Sequence, residues 1–250
     1  DSYLQVFNRL QHYVLLGHSF DKVEVIVMGG TFPAEDKEYQ EEFITGVFKA
    51  MNDFSDLFFE DGFNFVKFKE FFELPGDMKD KERELRIQEK LLKLKGGLDL
   101  EKEKLRNENS KVRCVALCIE TKSDWGLLEH GNEMLRQGCT RVELGIQSVY
   151  DDVLEHVHRG HDSGDSKKSI QILKDLGFKI NFHYMPGLPL TSRERDVSGM
   201  KQLFLDEDYR PDMLKIYPCM VGPGTALYYQ WKKGEFKPIS TDEAIERIVE

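Results

Sequence analysis

The residues able to do chemistry recur at one place in a repeated pattern, directly after an apolar run. Gly29, Gly30 and Thr31 follow "KVEVIVM", Glu120 and Thr121 close "VRCVALCIET", and Gln147 and Ser148 close "RVELGIQS". His183 lies near the end of "FKINFHYMPG", with Pro186 and Gly187 behind it, and Cys219 sits in "MLKIYPCMV". Five polar or glycine ends in a row point to one ligand site more readily than to five unrelated ends. The two consecutive glycines have two readings: a backbone that something approaches closely, or a turn in which φ goes positive.

The metal-capable residues form a different pattern. His156, His158 and His161 in "HVHRGH" have a spacing that suggests a metal-dependent barrel hydrolase. They follow the helical "YDDVLEH" instead of a strand end, and no carboxylate motif accompanies them. Cys114 and Cys118 stand four residues apart in a strand. That is about 13 Å at ~3.3 Å per residue. The separation is too long for a shared metal, or for a disulfide, whose Cα atoms lie within ~7 Å. Cys118 and Cys139 read as core residues, so no metal ligand is expected in this chain.

The apolar runs that must position these residues are strand-like, and helix-period stretches lie between them. From Val112 onward a strand starts roughly every 30–40 residues. That is the rhythm of βα units and predicts a parallel sheet or barrel. In such folds ligands sit at the carboxyl ends of the strands. Residues 54–110 break the rhythm, being rich in phenylalanine and then in charge, and read as an insertion.

Composition narrows the class further. With 40% hydrophobic and 32% charged residues the chain reads as an ordinary globular α/β protein. No stretch approaches the ~18 apolar residues of a membrane span, and "DSYLQVFNRLQ" is no signal peptide. The four scattered cysteines suit a cytoplasmic setting. A net charge of −10 argues against general nucleic-acid binding. Residues 79–113 nevertheless carry twelve Lys/Arg against eight Asp/Glu. This segment and the "WKKGE" turn, with Lys232 and Lys233, are the candidate surfaces for a polyanion.

Longer motifs carry a family resemblance. "VMGGTF", "CIETKSDW", "TRVELGIQSVYDDVLEHVHRGH", "FHYMPGLP", "PDMLKIYP" and "GTALYYQWKKGEFKPISTDEAIE" together resemble the radical S-adenosylmethionine (SAM) core of the Elongator catalytic subunit family, in an archaeal-type version. The resemblance spans nearly the whole chain. It implies a partial (β/α) barrel with a charged helical insertion at about 54–110, and it implies SAM and a 4Fe–4S cluster as cofactors. It also implies that acetyl-CoA is a co-substrate and that tRNA is the partner. The implied reaction takes a hydrogen from the acetyl group by way of a SAM-derived 5′-deoxyadenosyl radical. The product is carboxymethyluridine at the wobble position. The family resemblance allows a homodimer or other Elongator subunits as partners, without a membrane. A scaffold that binds SAM or tRNA without radical chemistry is the alternative within the same fold.

Residue by residue, the resemblance places Gly29, Gly30 and Thr31 at the SAM amino group, with Thr31 where the family usually has glutamate. Glu120 matches a carboxylate facing the amino or ribose groups, Gln147 a ribose contact, and Arg159 the clamp on the SAM carboxylate. His183 occupies a place that related barrels fill with a polar SAM contact. Each also has a plain structural reading: a helix-terminal charge for Glu120, a surface ion pair for Arg159 and a core histidine for His183. Ser123 replaces the usual proline of "ETKSDW", and Leu190 follows "MPGLP". The cysteine loop that binds the cluster is expected upstream of residue 1, and the acetyl-CoA-binding domain downstream of residue 250.

Overall fold

The computed structural model describes residues 1–77 and 79–250. Helix α1 (Ser2–Leu16) precedes strand β1 (Lys22–Val27), and α2 (Lys37–Phe58), α3 (Phe65–Phe71), α4 (Lys81–Lys95) and α5 (Leu100–Asn107) follow. The chain then alternates: β2 (Arg113–Thr121), α6 (Leu128–Arg136), β3 (Arg141–Gln147), α7 (Asp151–His156), α8 (Ser163–Asp175), β4 (Lys179–Tyr184), α9 (Arg193–Leu205) and β5 (Met213–Ile216). Helices α10 (Ala226–Lys233) and α11 (Thr241–Val249) close it. The five strands form one sheet in chain order, and the β2–β3, β3–β4 and β4–β5 pairs are parallel. An order that never reverses is barrel winding, because a doubly wound sheet would change direction at a switch point. The expected strand ends were generous, and β5 is only four residues long.

The chain divides into two compact units. The first comprises Asp1–Val25 and Glu35–Leu117. Residues 54–110, expected as an insertion, fold within it together with α1 and α2. Its core is phenylalanine-built: the Phe58 ring lies 4.8 Å from Phe54 and 5.5 Å from Phe68 and Phe71. A buried polar knot accompanies it, in which the Tyr3 hydroxyl donates to Asp53 at 2.9 Å while Arg106 donates to the same carboxylate at 2.8 Å. The basic helix α4 is bound into this unit. Lys90 pairs with Glu73 at 2.8 Å, and Lys95 pairs with Asp1 at 3.0 Å and Glu42 at 3.1 Å.

The second unit comprises Ile26–Ala34 and Cys118–Glu250. Its strands show why an apolar run can carry a polar site. Successive side chains of a strand point to opposite faces. Val142 and Leu144 of β3, with Ile180 and Phe182 of β4, are fully buried on one face. Register pairs Glu120 with Glu143, Glu143 with Asn181, and His183 with Lys215 on the other. The opposite face is therefore lined by charge.

Candidate functional site

Glu143 is the centre of that polar face, a carboxylate only 3% exposed. Its Oε2 lies 2.6 Å from His183 Nε2 and 3.6 Å from Lys215 Nζ. Its Oε1 takes Arg141 Nη2 at 3.4 Å and the Cys118 thiol at 3.5 Å. Lys215 reaches on to Glu120 Oε1 at 3.3 Å. Burial alone would push Glu143 up, but the hydrogen bond and charge of His183 and the Lys215 ammonium outweigh it and hold its pKa below the ordinary value. An ionised carboxylate only accepts, so His183 Nε2–H is the donor in this pair. Burial opposes the charge of Lys215, and the bond to Glu120 more than offsets that, so its pKa is raised.

A depressed carboxylate pKa has a predictable consequence. The Glu143 contribution to stability is complete above its unfolded value near 4.5 and is lost as pH falls through the lower folded value. In urea unfolding measured across pH 3–7, the parent should lose stability on acidification and Glu143→Gln should show a shallower acid limb. Parallel limbs would remove Glu143 from the network's energetics.

At the end of β3 the geometry is strained. Gln147 adopts a left-handed φ of 68°, and the β3–β4 register slips between Leu144 and Gln147. Such strain persists only where the surroundings hold it, and it concentrates at functional sites. Here Tyr217 holds it: its hydroxyl donates to Gln147 Oε1 at 3.0 Å, which leaves the amide nitrogen as a donor. Beside it, Arg159 Nη2 donates to the Gly145 carbonyl at 3.0 Å. A Cβ on Gly145 would lie 2.6 Å from that Nη2 and 3.2 Å from Gln147 Nε2, so only glycine admits the guanidinium. The buried Nε of Arg159 has no protein partner. A left-handed residue at His158 returns the chain so that Arg159 reaches β3.

The structure thus brings together Glu120, Gln147, Arg159 and His183, linked by contacts through Glu143, Lys215, Tyr217 and Gly145. The His183 and Tyr217 rings meet edge to face at 5.7 Å and join the two halves. Gly29 and Gly30, with φ of 102° and 62°, turn the chain after β1. A Cβ on either would meet nothing within 4 Å, so the constraint on them in this structure is conformational and not crowding. The Thr31 carbonyl is taken by Ala34 N at 2.8 Å. Glu143, Lys215 and Tyr217 were missed in the sequence. The only signal for them was a charge or phenol inside an apolar run.

These residues suit SAM, which presents a carboxylate, an ammonium and a ribose diol. The unpartnered Arg159 Nε and the Gln147 amide can meet an anion and a hydroxyl. An iron–sulfur cluster is not accommodated by the described residues. Among the described residues no three cysteines come together. Burial pushes Cys118 and Cys139 up to about 12 and Cys114 to about 11, whereas metal binding requires the thiolate. His156, His158 and His161 do not converge either. The one metal-capable group among the described residues is Glu120, Glu143 and His183, and there Lys215 already supplies the compensating cation.

Comparison with known proteins bears on the family and the fold. Residues 9–197 match the radical SAM superfamily model and 211–250 the radical SAM C-terminal domain. A Methanocaldococcus infernus protein named tRNA uridine(34) acetyltransferase is 42% identical over 99% of this chain and 39% of its own length. The Saccharomyces cerevisiae Elongator complex protein 3 is 35% identical over 99% of this chain and 37% of its own. The solved archaeal Methanocaldococcus infernus Elp3 lacking residues 1–46 superposes with a TM-score of 0.80 at 42% identity, covering 99% of this chain and 49% of that one. The chain spans about two fifths of the length of the curated relatives it matches. No helix among the described residues is long and apolar enough to cross a membrane. The open parallel sheet is therefore the partial barrel expected from the motifs, and the chain belongs to the radical SAM superfamily, as a relative of the Elongator catalytic subunits.

Proposed function

We propose that this chain is the SAM-binding core of an enzyme that modifies the wobble uridine of tRNA, with acetyl-CoA as co-substrate and 5-carboxymethyluridine as product. The carrying observation is the strained Gln147, fixed by Tyr217 beside the bare Gly145 backbone and the Arg159 guanidinium. When bound, SAM and a reducing iron–sulfur cluster supply hydrogen-atom abstraction, here directed at the acetyl group. This chain's part is to bind and orient. Arg159 holds the amino-acid carboxylate, Gln147 donates to the ribose, and the Gly29 and Gly30 backbone with the Thr31 hydroxyl faces the ammonium. Glu143 holds His183 through Nε2 and so fixes the orientation of the ring toward a ligand. We place the cluster ligands upstream and the acetyl-CoA-binding domain downstream in the full-length protein.

Calorimetric titration of the full-length, cluster-reconstituted protein with SAM tests this reading. Gln147→Ala leaves a polar partner unmet at a cost of about 1–3 kcal/mol, and should weaken SAM about 5- to 150-fold. Parent-like affinity would contradict the assignment of Gln147, and a parent without SAM affinity would end the reading.

A further inference from the structure

Two segments were candidates for contact with a polyanion, and their side chains now separate them. Helix α4 carries no aromatic residue; Lys81 pairs with Glu84, Arg86 and Lys90 with Glu73, and Lys95 with both Asp1 and Glu42. Those four cations are occupied in holding the helical unit, and Lys93 alone of the α4 lysines makes no ion pair among the described residues. Helix α10 is the reverse case. It buries none of its residues, and Lys232 and Lys233 make no ion pair among the described residues. Tyr229 is 59% exposed and Trp231 41% exposed. Lys232 Nζ stands 4.8 Å over the Trp231 ring and 5.5 Å over Tyr228. Tyr228 with Lys232 and Tyr229 with Lys233 are four residues apart, so each ring and cation share one helix face.

We infer that α10 is a docking surface for single-stranded RNA, with Tyr229 stacking a base and Lys232 and Lys233 meeting backbone phosphates. The inference rests on the reading of an RNA substrate above and names the surface that takes it. Three observations favour RNA over a protein partner. Exposed π-faces interleaved with unpaired cations are what sequence-tolerant single-strand sites present. Lysine is depleted in protein–protein interfaces. The cations of residues 226–238 (Lys232, Lys233 and Lys237 against Glu235) stand together on a chain whose net charge is −10, so a polyanion is attracted to local basic surface and not to the molecule as a whole.

The test uses the full-length protein and a labelled anticodon stem-loop bearing uridine 34, titrated between 50 and 200 mM salt. Tyr229→Ala should weaken binding about 5- to 150-fold, the range for the loss of one base stack. Lys232→Gln with Lys233→Gln should flatten the plot of log K against log salt by about 1.4, at about 0.7 for each single-strand phosphate contact. Lys90→Gln should leave both readouts unchanged, and SAM affinity should be the parent's in all variants. If the parent binds the stem-loop and the α10 variants match it in affinity and slope, this surface is overturned, and α10 is left to a protein partner. If the parent binds no RNA, the substrate reading and the inference fall together.

Discussion

Arg159→Ala should weaken SAM binding about 30- to 5,000-fold while the fold survives. The guanidinium is half-buried, anchored by one nitrogen to the Gly145 carbonyl, and its Nε has no protein partner. Burial lowers its pKa, yet an arginine remains charged. In the proposed function it is the partly desolvated cation that takes the SAM carboxylate. Removing one member of such a pair costs about 2–5 kcal/mol, or about 30- to 5,000-fold in affinity. Arg159→Lys should rescue little, because a single ammonium cannot hold Gly145 and a carboxylate with the fixed fork that a guanidinium offers. Calorimetry measures the affinity, and a thermal melt within a few degrees of the parent shows that the loss is local. An Arg159→Ala protein that binds SAM normally would put the carboxylate elsewhere.

The second large effect concerns stability. Asp196 of α9 is 1% exposed and pairs with Arg247 of α11, itself 8% exposed. The same Asp196 oxygen accepts Gly187 N at 2.8 Å and Thr191 Oγ1 at 3.3 Å, so one carboxylate pins the loop after β4 and the last helix. Asp196→Ala leaves a buried cation and a buried amide without partners. The expected loss is about 3–5 kcal/mol, read as a lower urea midpoint. Replacing both partners by apolar residues, Asp196→Leu with Arg247→Met, should recover most of it, since the desolvation of two charges disappears together. A loss under about 1 kcal/mol for Asp196→Ala would mean that water reaches Arg247 and that the pin is dispensable. Gly187, which it holds, lies four residues beyond His183, so a loosened loop should also weaken SAM.

Much of this molecule was legible in its residues. Alternating apolar runs and helical periods sufficed for a parallel α/β sheet, because burying both faces of a strand demands a continuous apolar run. The strand-end positions followed from the same periods: Glu120, Gln147 and His183 are where runs stop, and the winding of the sheet brings those ends together. The site's centre was not legible. Glu143 lies inside "RVELGIQ", where a lone charge reads as an exception to the strand. Only the register that sets it beside Glu120, and the fold that carries His183 and Lys215 to it, makes it the hub of a charged face. The same holds for the lysines. Composition marked α4 as basic, but whether a cation is free depends on which carboxylates the tertiary fold brings within about 4 Å, and for Lys90 and Lys95 it brings three. Periodicity is a local property, and a strand or helix can declare it alone. Pairing and compensation of charge are decided between distant segments, and in this protein only the packed structure determined them.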